Sequence, residues 1–210
     1  MRNVFVRILI SFTALALVFA ASACRAKYKP LESSLDPGFS ASELAHSRIV
    51  VNHAAPGCYN DGDGRAYPRS GVRTSNVIYA ICKAYNHRTQ LHGTVFENVD
   101  EMIDDLNARG VPADYVIFAV INNWEDHATE WSGIPDRIDV ALGLYRVRDR
   151  RCVAFEHFKA SSKRVMFAVG DHPQDLLEKP IKVILAKWFN RPILTGIIDS
   201  ESIMLRATIK

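Results

Sequence analysis

The side chains best suited to chemistry lie close together in the middle of the sequence, between two tryptophans. The segment runs from Trp124 to Trp131 and contains three carboxylates and one histidine: Glu125, Asp126, His127 and Glu130. A pair of carboxylates can act as general acid and general base, as in glycoside hydrolysis. His127 and Glu130, three residues apart, could face one divalent ion if the segment were helical. Zinc needs three or four such ligands, however, and no second histidine-rich pair follows in the sequence.

A structural interpretation of the same segment competes with catalysis. The tryptophan rings would pack on the end of a sheet, and the carboxylates would accept backbone N–H groups and pair with Arg137. We favour this interpretation and therefore expect no catalytic residue, no metal and no cofactor. The candidate functional or structural cluster consists of Trp124, Glu125, Asp126, Glu130, Trp131 and Arg137.

The elements around this cluster predict an α/β fold. Tyr115 to Ile121 is a nearly unbroken apolar run, typical of a strand buried on both faces. Before it, short β-runs at Arg48–Asn52 and Gln90–Glu97 alternate with helical spacing at Thr74–His87 and from Asn98 to Ala108. Thr74 is the expected N-cap of the first helix, Asn98 or Asp100 caps the second, and Gly110 ends it. The β-α-β-α-β order predicts parallel strands with crossover helices.

The second half of the chain extends this sheet. Alternating residues predict two meander strands, Ile138–Arg148 and Arg151–Ser161, which would be antiparallel members. Asp171 is the expected N-cap of a C-terminal amphipathic helix, with Gln174 completing a capping box, and Pro180 should kink or restart that helix. A final strand is predicted within Ser202–Ile209. The fold class is therefore α/β, with a mixed sheet.

The N-terminus has the pattern of a signal peptide. Arg2 and Arg7 precede an apolar stretch, Ile8–Ala21, which is too short to span a membrane. Ala21-Ser22-Ala23 then leads directly to Cys24, which resembles the bacterial lipobox, although the lipobox favours Leu where Ala21 stands. The same three residues also fit an ordinary cleavage site that would release a soluble protein. We favour lipidation of Cys24 by acyl chains such as palmitate, because a cysteine directly after the cleavage site would otherwise be a coincidence. Several acyl chains give stable anchoring where one would not.

These assignments divide the chain into a signal peptide (1–23), a lipidated cysteine with a flexible tether (24–47) and a single periplasmic domain (48–210). Arg25 follows the cysteine where Asp would indicate inner-membrane retention in lipoproteins, which favours the outer membrane. The formal charge of +3 falls when Arg2 and Arg7 are removed with the leader, leaving 24 basic and 23 acidic residues. This near-neutral balance argues against nucleic-acid binding.

Three cysteines remain if Cys24 is lipidated, so at most one internal disulfide can form. We expect Cys58–Cys82 to be the pair, because loop and helix are neighbours in sequence. Cys152 would then be a free thiol, buried as a small hydrophobe.

Two motifs carry a resemblance to a known family. The stretch from Trp124 to Arg137 and the later Gly170-Asp171-His172-Pro173-Gln174-Asp175-Leu176-Leu177 resemble a family of uncharacterised bacterial lipoproteins described as a domain of unknown function. The resemblance implies a lipid-anchored envelope protein and no established activity. The element order is also similar, more loosely, to the amino-terminal domain of TolB, which implies a fold only.

The sequence thus predicts an outer-membrane lipoprotein that faces the periplasm, with a binding or structural domain. The expected partners are the membrane, through Cys24, and an envelope protein or peptidoglycan, with no nucleic acid. The alternative is an envelope hydrolase or metal-binding protein that uses Glu125, Asp126, His127 and Glu130.

Overall fold

A computed structural model of the chain describes residues 27–57, 67–127, 134–162 and 172–195. It has a six-stranded mixed sheet with the strand order β1 (Lys27–Leu35), β6 (Arg151–Ser161), β5 (Arg137–Arg146), β4 (Tyr115–Glu125), β2 (Ile49–His53) and β3 (Thr89–Val95). The strand predicted within residues 202–209 lies outside the described residues.

The parallel part of the sheet confirms the predicted β-α-β-α-β order. It consists of β2 (Ile49–His53), α2 (Ser70–Tyr85), β3 (Thr89–Val95), α3 (Val99–Ala108) and β4 (Tyr115–Glu125), where α2 and α3 are the crossover helices. Strand β2 lies in the middle and pairs in parallel with both β3 and β4. Apolar residues of β2 and β4 are buried on both faces of the sheet, which explains why these strands lack strict alternation.

The antiparallel part consists of β5 (Arg137–Arg146) and β6 (Arg151–Ser161), which confirms the predicted meander, and of β1 (Lys27–Leu35), which was not predicted. Strand β1 pairs with β6 from Lys27 opposite Ser161 to Leu35 opposite Ala154. The prediction of a flexible tether over residues 24–47 is therefore wrong from Lys27 onward. A short helix, α1 (Ala41–His46), connects β1 to β2.

The helices cover the two faces of the sheet unequally. On one face, α2 and the C-terminal helix α4 (Glu178–Phe189) bury the larger apolar cluster, which includes Trp188 and Phe158. On the other face, α3 packs on Val50, Val116 and Phe118. Within the described residues, no helix covers the part of this second face that β1, β5 and β6 form. We call this uncovered surface the open face.

The helix boundaries correct some of the predicted caps. Helix α2 begins at Ser70, four residues before the predicted N-cap Thr74, whose side chain is buried. The Asn98 side chain caps α3 as predicted, accepting the Glu101 N–H at 3.0 Å. Gly110 follows α3 with a φ of 64°, a conformation that suits glycine at a helix end.

The C-terminal helix restarts near Pro180, as predicted. A 3₁₀ turn at Pro173–Leu176 precedes α4, and Pro180 lies in the first turn of α4, where no backbone N–H is needed. The N-cap of the 3₁₀ turn is His172 and not the predicted Asp171, and Asp175 takes the capping-box position predicted for Gln174. The backbone N–H of His172 donates to Asp175 Oδ2 at 2.9 Å.

The two described cysteines have opposite environments. Cys82 is a free, fully buried thiol with its Sγ 3.3 Å from Thr89 Oγ1, and burial raises its pKa to about 12. Because Cys82 is a free thiol, the expected Cys58–Cys82 disulfide is wrong; Cys58 itself lies outside the described residues. Cys152 is free as predicted but exposed, so the prediction of its burial is wrong. Its exposure follows from its place at the start of β6, beside the Arg146–Arg151 turn.

Thiol labelling distinguishes these environments. We expect a water-soluble disulfide reagent to modify Cys152 in the native protein well before Cys82, because a buried thiol with a raised pKa presents little thiolate. Mass mapping after short exposure measures the order, and a Cys152→Ser variant is the control. Labelling of Cys82 as fast as Cys152 would contradict the buried position of Cys82.

Candidate functional site

The candidate cluster begins inside β4 and not in a turn. Strand β4 continues four residues past the predicted end at Ile121, through a bulge between Ile121 and Asn123, to Glu125. Because neighbouring residues of a strand point to opposite faces, the cluster is divided between the two faces of the sheet. The predicted partners Glu130 and Trp131 lie outside the described residues.

Trp124 belongs to the larger apolar cluster and is only 3% exposed. The chain approaches it closely at Gly57. A Cβ atom at that glycine would lie 2.8 Å from Trp124 Cβ and 2.5 Å from Ile121 Cγ2. Trp124 thus packs from within β4 into this apolar cluster, and its side chain has a structural role there.

Glu125 lies on the open face and is held by three side chains. It accepts hydrogen bonds from Asn123 Nδ2 at 2.7 Å and Arg137 Nη1 at 3.2 Å, and its Oε2 lies 3.3 Å from His127 Nε2. The predicted pairing of a cluster carboxylate with Arg137 is thus present. This bonding occupies both oxygens of the Glu125 carboxylate, which favours the structural interpretation.

Asp136, which is not a member of the predicted cluster, holds the backbone that directly follows β4. Its Oδ1 accepts the His127 N–H at 2.7 Å, and its own N–H donates to Ser162 Oγ at 2.9 Å. Asp136 is 1% exposed, and this burial raises its pKa, partly offset by the His127 N–H. Asp136 therefore closes the loop between β4 and β5 and ties it to the end of β6.

A groove on the open face collects the charged residues next to Glu125. Its volume is about 460 Å³, and its charged lining residues are Lys27, Lys29, Glu125, Arg137, Asp139 and Lys159. We call it the basic groove because four of these six residues are basic. Its acidic residues are already paired: Glu125 with Arg137, and Asp139 with Lys159 at 3.0 Å.

Asp139 is the best-bonded carboxylate of the groove. His157 Nε2 lies 2.6 Å from its Oδ1, and Asn122 Nδ2 donates to the same oxygen at 3.1 Å. Burial alone would raise the pKa of Asp139, but the hydrogen bonds from His157, Asn122 and Lys159 outweigh burial and lower it. Asp139 thus stays ionised and satisfied, as a structural carboxylate does.

Asp126 points to a different cavity from that of Glu125. This second cavity, about 310 Å³, is lined by the start of α2, including Arg69 and Arg73, and by Trp124 and Gln174. It lies beyond the carboxyl ends of the parallel strands β2 and β4, since α2 follows β2 and Asp126 follows β4. Open α/β sheets bind their ligands in the crevice outside the carboxyl ends of their strands. Glu125 and Asp126 therefore do not line one cavity together as an acid–base pair.

The metal hypothesis receives no support from the geometry at His127. His127 follows the end of β4 and is not in a helix. The hypothesis required a helical segment to bring His127 and Glu130 to the same ion, and this condition is not met at His127. Among the residues that the structure describes, no group of three or more His, Cys, Asp or Glu side chains could hold a metal ion. No helix in the described part of the chain is long and apolar enough to span a membrane.

The fold and these two cavities define a mixed α/β domain with charged sites at the sheet end and on the open face. A family model described as "Domain of unknown function (DUF4823)" matches residues 44–188. The chain belongs to this family, which confirms the predicted membership of an uncharacterised domain family. No curated protein matches the chain.

Solved structures support the fold. The PelC dodecamer from Paraburkholderia phytofirmans is 10% identical, with a TM-score of 0.54 over 80% of this chain and 100% of that chain. A point variant of the same dodecamer gives a TM-score of 0.53, with 10% identity over 77% and 98%. A Xanthomonas campestris protein of family-model DUF330 is 11% identical over 74% and 87%, with a TM-score of 0.40. The similarity to PelC shows a shared fold, and the looser resemblance to TolB stays a prediction.

Proposed function

We propose that this protein is a lipid-anchored cell-envelope protein, held at the outer membrane and facing the periplasm, whose α/β domain binds or supports another envelope component. The observation that carries the proposal is the position of Cys24. It follows a basic and apolar leader with small residues, and it precedes the first strand of the folded domain by three residues. A cysteine directly after small residues that fit a cleavage site is the arrangement that lipid anchoring requires.

The binding role is supported by the cavity at the carboxyl ends of β2 and β4. It combines two arginines with one carboxylate, Asp126, at the start of a 16-residue helix. The N-terminus of a helix favours anionic groups, and so do the guanidinium groups of Arg69 and Arg73. An envelope hydrolase is less well supported, since Glu125 and Asp126 serve different cavities.

Anchoring can be tested directly on the mature protein. We expect it to enter the detergent phase on phase separation, and intact-mass measurement should show three acyl chains on Cys24. A Cys24→Ser variant should no longer enter the detergent phase, while its thermal unfolding stays unchanged because the described core begins beyond that residue. Recovery of the unmodified wild-type protein, beginning at Cys24, from the soluble periplasm would contradict the proposal.

A further inference from the structure

The pairing of β1 brings unpaired positive charge to the edge of the basic groove. Lys29 stands directly opposite Lys159 across the β1–β6 ladder, and Lys27, two pairs further toward the N-terminus, stands opposite Ser161. Like charges at opposed positions destabilise a sheet. Lys159 is compensated by Asp139, whereas Lys27 and Lys29 are exposed and make no ion pair within the described residues.

The groove therefore has a surplus of two positive charges. Arg137 and Lys159 are balanced by Glu125 and Asp139, and the surplus comes from the two lysines of β1. No acidic side chain of the groove remains to compensate them. An anion from outside the domain would relieve the repulsion between Lys29 and Lys159.

The distance from Cys24 indicates what that anion is. Three residues can span at most about 11 Å, even when fully extended. Lys27 must therefore lie within that distance of the anchored residue, and Lys29 follows about 7 Å further along the strand. The Debye length at physiological salt is about 8 Å, so both lysines sense the charge of a membrane surface when β1 lies along that surface and does not point away from it.

We propose that the basic groove docks on the membrane through Lys27 and Lys29, which contact the phosphates of anionic phospholipid headgroups. This inference rests on the proposed anchoring at Cys24. It makes β1 the membrane-facing edge of the domain and leaves the helices α2 and α4, on the opposite face of the sheet, away from the lipid surface. The domain is then held in one orientation and does not move freely on a tether.

The first experiment uses the lipidated protein in vesicles of phosphatidylcholine alone or of an equal mixture with phosphatidylglycerol. The rate of amine acetylation is measured at each lysine by mass spectrometry. We expect Lys27 and Lys29 to react several-fold more slowly on the anionic vesicles and to recover in high salt. Lys179, exposed on α4, is the internal control and should react equally on both. Equal rates at Lys27 on the two kinds of vesicle would overturn the proposal.

The second experiment separates headgroup contact from anchoring. A chain from residue 24 onward that carries Cys24→Ser is tested for flotation with the same vesicles. We expect this chain to bind anionic vesicles only. The double variant Lys27→Gln/Lys29→Gln should bind them about 25-fold more weakly, since each lysine contributes about fivefold to the affinity. The control is the double variant Lys179→Gln/Arg191→Gln, which removes the same charge elsewhere and should change the affinity for anionic vesicles little. An equal loss in both pairs would overturn the contact.

The outcomes of the two experiments are distinguishable. If the wild-type protein carries no acyl chain and does not associate with neutral vesicles, the anchoring proposal fails. Flotation of the Cys24→Ser chain then still decides whether the basic groove recognises headgroup phosphates. If the protein is acylated but its lysines are not protected, the anchoring proposal stands and the docking proposal fails.

Discussion

Replacing Trp124 with Ala is expected to lower the free energy of unfolding by about 3–5 kcal/mol, as for other buried tryptophans. The indole is 3% exposed and packs in the larger apolar cluster, against the close approach of the chain at Gly57. Its loss removes apolar burial and leaves a cavity at the point where β4 meets the following loop. Urea denaturation of the variant and the wild type measures the difference.

Two companion variants test this structural role of Trp124. Trp124→Phe keeps most of the buried ring and should cost much less than Trp124→Ala. Glu125→Gln, one residue further on and on the opposite face, should cost about 1 kcal/mol or less, because its partner Arg137 is half exposed. If Trp124→Ala left the unfolding free energy unchanged, the residue would be a binding surface and the structural interpretation of the cluster would be wrong.

The apolar elements were predictable from the sequence because their own residues specify them. The runs in β2 and β4 and the amphipathic stripes of α2 and α3 are local signals, and so are the Asn98 cap and the Gly110 stop. Each signal depends on burial or on a bond within a few residues. Together they were enough for the order of elements and hence for the α/β class.

Strand β1 shows why the rest could not be predicted. Its sequence, KYKPLESSL, has no apolar alternation, and almost all of its side chains are exposed. It is a strand because β6 offers an unpaired row of backbone groups, and that partner lies more than 100 residues away. The bulge beside Pro30 and the two lysines are features that protect a sheet edge from further pairing.

The candidate cluster was misjudged for a related reason. Asn122 and Asn123 are polar and resemble the start of a turn, yet β4 continues through them by pairing with β5. This continuation places Glu125 and Trp124 on opposite faces, so the side chains of two neighbouring residues lie in different environments. The bonds of Asp136 to Ser162 and of Asp139 to His157 are long-range contacts, and no local pattern predicts them.

Replacing Asn52 with Ala is expected to lower the free energy of unfolding by about 2–4 kcal/mol, since two buried backbone groups would lose their partners. The parallel ladder between β2 and β4 ends at Val51 opposite Ile117. Beyond it, the Asn52 side chain continues the pairing: it donates to the Ala119 carbonyl at 3.1 Å and accepts the Ala119 N–H at 2.8 Å. Asn52 is 1% exposed, so water cannot readily replace it.

Asn122→Ala is the matched control, because this asparagine is exposed on the same sheet and its side chain donates to Asp139 Oδ1 at 3.1 Å. Its loss should cost less than about 1 kcal/mol. Hydrogen exchange adds a local readout: the Ala119 amide should be protected in the wild type and in Asn122→Ala, and exchange faster in Asn52→Ala. The opposite result would be an equal loss of unfolding free energy in the two variants, with the Ala119 amide still protected in Asn52→Ala. Asn52 would then not hold β2 and β4 together at the cavity beyond their carboxyl ends.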